Sequence, residues 1–293
     1  MMRITPALLL LLSLGACADE TAPGPLHAEE GTLVADPAME LPETIAELGL
    51  FPEAPALLTA PVEAVVYEPT WPLWSNGLGK LRHIRLPDGG AVDVSDTDDW
   101  SFPVHTLFFK TFTYASGPVE TRIMRRTSEG WDYGTYQWMA DDAVLLSGTT
   151  IETVDVVNDD GDALTHSIPA TLQCRTCHES SPSATLGFSE TQLSEAPVDV
   201  PTTDTIDTGD ALTDAFLGVL QGNCVHCHNG SGGPSSSFDL RHPVALDNLI
   251  DVPTEGSASA SGIRIVPGSP EDSVLFQAFS GQTADSEVAA MPP

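Results

Sequence analysis

Two copies of one five-residue pattern constrain this chain more than anything else in it: Cys174-Arg175-Thr176-Cys177-His178 and Cys224-Val225-His226-Cys227-His228. Together they take four of the five cysteines. Any fold must present two thiols about one helical turn apart with an imidazole directly behind them, and must do so twice. Cys-x-x-Cys-His is the attachment signature of c-type haem. The two thiols add to the two vinyl groups of one haem, and the following His ligates its iron from below. Zinc ribbons also use paired Cys-x-x-Cys, but space the pairs by ~15–20 residues; here 46 residues, 178–223, lie between. Disulfides are open to an exported chain. Neither alternative accounts for a His after both pairs. The expectation is two haem c groups, attached through Cys174, Cys177, Cys224 and Cys227, with His178 and His228 as proximal iron ligands.

The fifth cysteine has a different address. Arg3 followed by the apolar run Ala7–Leu14 reads as an export signal, and Leu14-Gly15-Ala16-Cys17 has the form of a bacterial lipobox. Residues 1–16 are read as a lipoprotein signal peptide and Cys17 as the lipidation site, so the chain is anchored to a membrane without spanning it. Ala18 after the Cys favours the outer membrane, facing the periplasm or cell surface. Residues 17–40 read as a flexible acidic tether. With 42 acidic against 11 basic residues the net charge is −31. That charge excludes nucleic acid and anionic lipid as partners and suits a redox partner protein with a basic docking surface.

Residues 41–165 alternate as strands do. Leu81–Leu86 ends at the turn Pro87-Asp88-Gly89-Gly90, Val104–Tyr114 is β-branched and aromatic, and Thr121–Met124 and Thr149–Val157 follow. All five Trp fall between Trp71 and Trp138. This region predicts a sandwich or barrel with its own aromatic core, to which the Trp, Tyr133 and Tyr136 belong. Before it, Thr44–Leu50 predicts a short helix ending near Gly49. Residues 166–209 form the first haem-binding segment and a linker. From 210, Leu212, Phe216, Val219 and Leu220 make the stripe of a one-sided helix capped by Thr208 or Asp210. The expected fold class is therefore α+β and multidomain: a β-rich sandwich or barrel-like domain, then a mainly α-helical domain over 210–293.

The second motif's surroundings are Phe238-Asp239-Leu240-Arg241, Ile265-Val266-Pro267-Gly268-Ser269-Pro270 and Met291-Pro292-Pro293. They resemble a cytochrome c domain found in multidomain bacterial proteins. That resemblance implies Met291 as the distal ligand of the second haem. The family continues into a C-terminal helix, whereas this sequence stops at Pro293, as a truncated domain would.

A wider block carries a second resemblance. It comprises Tyr67-Glu68-Pro69, Pro72-Leu73-Trp74-Ser75-Asn76-Gly77, Lys80, Trp100-Ser101-Phe102-Pro103, Lys110-Thr111-Phe112, Glu120-Thr121-Arg122, Tyr133-Gly134-Thr135-Tyr136-Gln137-Trp138 and Gln173-Cys174 leading into the first motif. Over roughly 41–293 the chain resembles an exported bacterial diheme c-type cytochrome family, departing from it at His105, where the family has Gly. The resemblance implies haem binding and electron transfer, and no substrate. The first haem's distal ligand is left among Met139, His105, His83 and His166. Leu186-Gly187-Phe188 is a candidate pocket wall, and His226 and His242 read as exposed bystanders.

The leading expectation is a diheme c-type cytochrome carrying electrons outside the cytoplasm. The alternatives are a peroxidase- or oxidase-like haem enzyme with an open site on the first haem, and a binding module whose β-region grips a partner.

Overall fold

Strand-period alternation, with a side chain on each face in turn, builds the centre of the protein. In the computed structural model the described residues are 41–51, 61, 63–75, 77–96, 99–115, 117–139, 142–158, 161–202, 206–230, 238–254 and 262–280. Six antiparallel strands form one sheet in sequence order: β1 (Val65–Val66), β2 (Gly79–Arg85), β3 (Leu107–Tyr114), β4 (Gly117–Arg126), β5 (Trp131–Trp138) and β6 (Ala143–Leu145). β7 (Glu152–Val157) and β8 (Ala163–Ile168) form a separate hairpin. The described residues all fall within one compact unit.

The two faces of the large sheet bury different sets. Ile84, Phe108, Met124 and Tyr133 project to one face and join Tyr67, Trp100, Phe102 and Phe188. Phe188, 1% exposed, is the hub of that cluster, with ring centroids 4.9 Å from Tyr67 and 5.3 Å from Phe108. Leu107, Phe109, Ile123 and Tyr136 project to the other face, beneath Ile45, Leu48 and Leu50. That cover includes the short helical turn Ala46–Leu48, which ends at Gly49 with φ 65°. The β-region thus has the expected aromatic core, although Trp74 stands exposed.

One irregularity shapes the sheet. Phe112 pairs with Glu120 but Thr113 pairs with Pro118, leaving Val119 as an extra residue in β4. This β-bulge lets the neighbours Val119 and Glu120 both serve the side where the hairpin docks. Val119 packs with Phe112, Tyr114 and Val156, and Glu120 meets His166 of β8.

The expected fold class is overturned. The six strands are an open meander whose ends, β1 and β6, do not pair with each other, so no sandwich or barrel closes. Nor is the C-terminal part a mainly α-helical, cytochrome c-like domain. Among the described residues the protein is mostly β and 19% helical. The described residues from 206 onward hold one helix of three turns, α2 (Ala211–Asn223), and two short ones, α3 (Ala245–Leu249) and α4 (Val274–Ser280). The rest is turns and isolated bridges such as Ile250↔Ile265 and Pro253↔Ile263. The cause is composition: only 210–223 sustains an apolar helical period, while Pro243, Pro253, Pro267 and Pro270 interrupt every later run before it reaches helical length. The helix read from 210 is present, capped by Asp210, whose carboxylate accepts from the Thr213 N–H at 3.0 Å.

Candidate cofactor site

The first motif lies on a helix. α1 (Thr171–His178) carries Cys174, Cys177 and His178 and packs on β5. Cys174 lies near Thr135, which acts to lower its thiol value, and against the aromatic cluster. Three-residue spacing on a helix puts both thiols on one side, and neither is in a disulfide. Burial pushes both thiols up from their ordinary values, Lys110 and Arg122 acting in the opposite direction.

His178 is held on both sides. Its ring lies 5.5 Å from that of Tyr133, and its Nδ1 donates to the Ala184 carbonyl at 2.6 Å. That bond fixes the tautomer and leaves Nε2 as the unprotonated ring nitrogen, the arrangement a metal-ligating His needs. Burial, aided by Lys110, drives the imidazole down to about 3, against the pull of the Ala184 carbonyl, so it is neutral at physiological pH.

The second motif is a turn that closes α2. Cys224 caps the helix, and the N–H groups of Cys227 and His228 both donate to its carbonyl, at 3.0 and 2.9 Å. Cys224 and Val225 pack on Leu217, Leu220, Leu240 and Leu249. The His228 ring lies 4.7 Å from Phe238, with the Arg264 guanidinium over the same phenyl ring at 4.3 Å. Burial, then Arg264, lowers the His228 value. α2 is seated by two glycines. A Cβ at Gly218 would fall 2.2 Å from the Trp71 ring, and one at Gly222 would fall 2.6 Å from the Trp71 carbonyl.

The fold brings the two motifs together. Asn229 Nδ2 donates to the Ser180 carbonyl at 3.3 Å, joining the segments just after each motif. His226 acts electrostatically on His178, and Cys177 on Cys227. Beside them is a cavity of about 490 Å³ whose walls include Arg82, Lys110, Thr185, Val225, His226 and Asn229. His226 and His242, read as exposed bystanders, both line it. Leu186 and Gly187 line it too, as expected, but Phe188 turns inward to the core.

The distal candidates separate. His83, paired in register with Phe109, points to the sheet face away from α1. His166 is committed to Glu120, and Met139 is exposed. His105 occupies the turn before β3 with φ 80°, a conformation glycine favours, at the one position where the resembled family carries Gly. Met291 and Cys17 lie outside the described residues. Sequence reasoning missed Arg82, Lys110, Thr135 and the Ala184 carbonyl. Their alternation was visible, but the cross-strand neighbours and the turn that returns Ala184 to His178 were not.

The residues present fit covalent haem: thiols one turn apart and free of disulfides, each pair followed by a half-buried His, and one of those rings oriented through Nδ1. A single zinc site would need its ligands around one point, and no group of three or more His, Cys, Asp or Glu side chains so placed occurs among the described residues. Comparisons with family models, curated proteins and solved structures gave no match to this chain.

Proposed function

We propose that this chain is a diheme c-type cytochrome that carries electrons outside the cytoplasm, anchored through lipid on Cys17. Haem iron attached at each motif supplies one-electron chemistry. The protein's part is to hold both groups rigidly, near one another and shielded from water. The observation that carries the reading is the His178 Nδ1 bond to the Ala184 carbonyl at 2.6 Å, since it orients the one ring nitrogen that a proximal ligand must offer. Supporting it, the free thiols of Cys174 and Cys177 share that helix, and Asn229 bridges to Ser180 so that the second motif lies alongside the first. The charge of −31 steers encounter toward a cationic redox partner, with a rate that falls as salt rises. No helix of the described residues is long and apolar enough to cross a membrane.

The test is export of the full chain from a host that matures c-type cytochromes, followed by intact-mass and visible spectroscopy. The expected mass is that of the lipidated chain plus two haems. The C174A/C177A and C224A/C227A variants should each lose one. A colourless wild-type protein with the mass of its polypeptide and lipid alone overturns the reading.

A further inference from the structure

Basic residues are scarce here, 11 against 42 acidic, yet three stand side by side. Arg82 of β2 pairs in register with Lys110 of β3, and Lys110 with Arg122 of β4. The row ends at Thr135 of β5, the residue near Cys174. Like charges directly opposite one another repel, and burial makes each charge harder to sustain. Arg122 is compensated, since its Nε and Nη2 donate to Glu120 at 3.0 and 2.6 Å. Arg82, 5% exposed, has only the more distant Glu68 and Tyr67 acting on it, and half-buried Lys110 only the thiols of the first motif. Among the described residues neither has a carboxylate within ion-pair distance.

Both cations line the cavity beside the motifs. Its two acidic wall residues do not answer them: Asp239 is held by Arg241 through bonds of 2.7 to 3.1 Å, and Glu190 forms no ion pair with either. Burial, then Arg82 and Arg122, brings the Lys110 ammonium down to about 7, a cost to its charged form that a facing carboxylate would offset.

We propose that Arg82 and Lys110 are a receiving site for a pair of carboxylates, and that these are the two propionates of the porphyrin attached at the first motif. The assignment rests on the diheme reading above. Its geometry is that of the row. Thioether attachment at Cys174 lies at the Thr135 end, and Lys110 stands two strands away, about 10 Å by strand spacing. A porphyrin carries its propionates on the side away from its vinyl-derived links, so a ring fastened at one end of the row delivers its carboxylates toward the other. Arg82 and Lys110 are positioning residues for the cofactor.

The test uses the exported holoprotein as wild type, K110M, R82Q and K110R, with three readouts: haem count by intact mass, the propionate bending bands in resonance Raman, and calorimetric titration with succinate and with inorganic phosphate. All four proteins should carry two haems, because the thioether links do not depend on either cation. The propionate band should shift in K110M and in R82Q and stay at its wild-type position in K110R. Wild type should bind neither succinate nor phosphate, its site being filled. An unmoved band in coloured, two-haem K110M and R82Q overturns this assignment and leaves the diheme reading standing. Saturable succinate or phosphate binding by wild type that K110M abolishes also overturns it, the site then belonging to a soluble anion. A colourless wild type overturns both. If K110M fails to accumulate, R82Q alone decides.

Discussion

His166 Nε2 lies 2.9 Å from Glu120 Oε1, joining β8 to β4 across 46 residues of chain. Glu120 is fully buried and also takes two bonds from Arg122. Burial raises its carboxyl, but the His166 and Arg122 bonds outweigh that, and its value lies below the ordinary range. A carboxyl depressed in the native state adds stability above its unfolded value of about 4.3, and that stability is lost as pH falls through the lower native value. Glu120→Gln should cost about 3 kcal/mol at neutral pH, because it leaves the buried side of Arg122 without its counter-charge. It should also flatten the acid limb of stability. Urea unfolding from pH 7 to pH 3 checks both; parallel curves for wild type and variant would remove Glu120 from the acid response.

Phe188 plugs the aromatic cluster from the loop that follows the first motif. Phe188→Ala should cost about 3–5 kcal/mol and loosen the loop carrying Ala184, to which it is linked through the Phe188 N–H bond to Thr185. Denaturant midpoints give the energy, and near-ultraviolet circular dichroism reports the loss of Trp100 and Tyr67 packing.

Gly218→Ala sets helix propensity against contact. Alanine favours α2 by about 1 kcal/mol, but its methyl would lie 2.2 Å from Trp71, and overpacking of that kind costs about 1–3 kcal/mol. The net expectation is destabilisation, with Trp71 fluorescence shifted because the ring must move. A more stable variant with unchanged emission would show that α2 does not press on Trp71.

His105→Gly should stabilise the protein by up to about 1 kcal/mol. A non-glycine residue held at positive φ costs about 1–3 kcal/mol, partly offset by glycine's greater loss of chain entropy. The His105 N–H bond to the Arg126 carbonyl is backbone and survives the change. Thermal unfolding reads the difference.

The parts legible in the sequence are those whose cause is local. The motifs, the strands at 81–86 and 104–114, the turn at Gly49 and the helix from 210 all follow from spacing within a dozen residues. The misread parts depend on residues far apart. The aromatic run suggested a closed sandwich or barrel, yet the strands stay an open meander, because residues 41–51 and the loop around Phe188 cover its two faces instead of a second sheet. One amphipathic helix before the second Cys-x-x-Cys-His motif suggested a helical domain, yet the Pro- and Gly-punctuated chain after it folds as bridges and short turns. The facing of Lys110 by Arg82 and Arg122 is a matter of strand register, which alternation alone does not disclose.

The extra residue at Val119 makes the end of β4 a parity device. On its far side the strand counts even positions toward the hairpin; on its near side the count is offset by one. Removing Val119 would restore a regular ladder, with Pro118 still opposite Thr113 and with Arg122 and Met124 where they are, but it would take away the side chain that packs on Val156. The one-residue excess is therefore a fastening, and its loss would weaken the seat of the β7–β8 hairpin without disturbing the strands beneath the motifs.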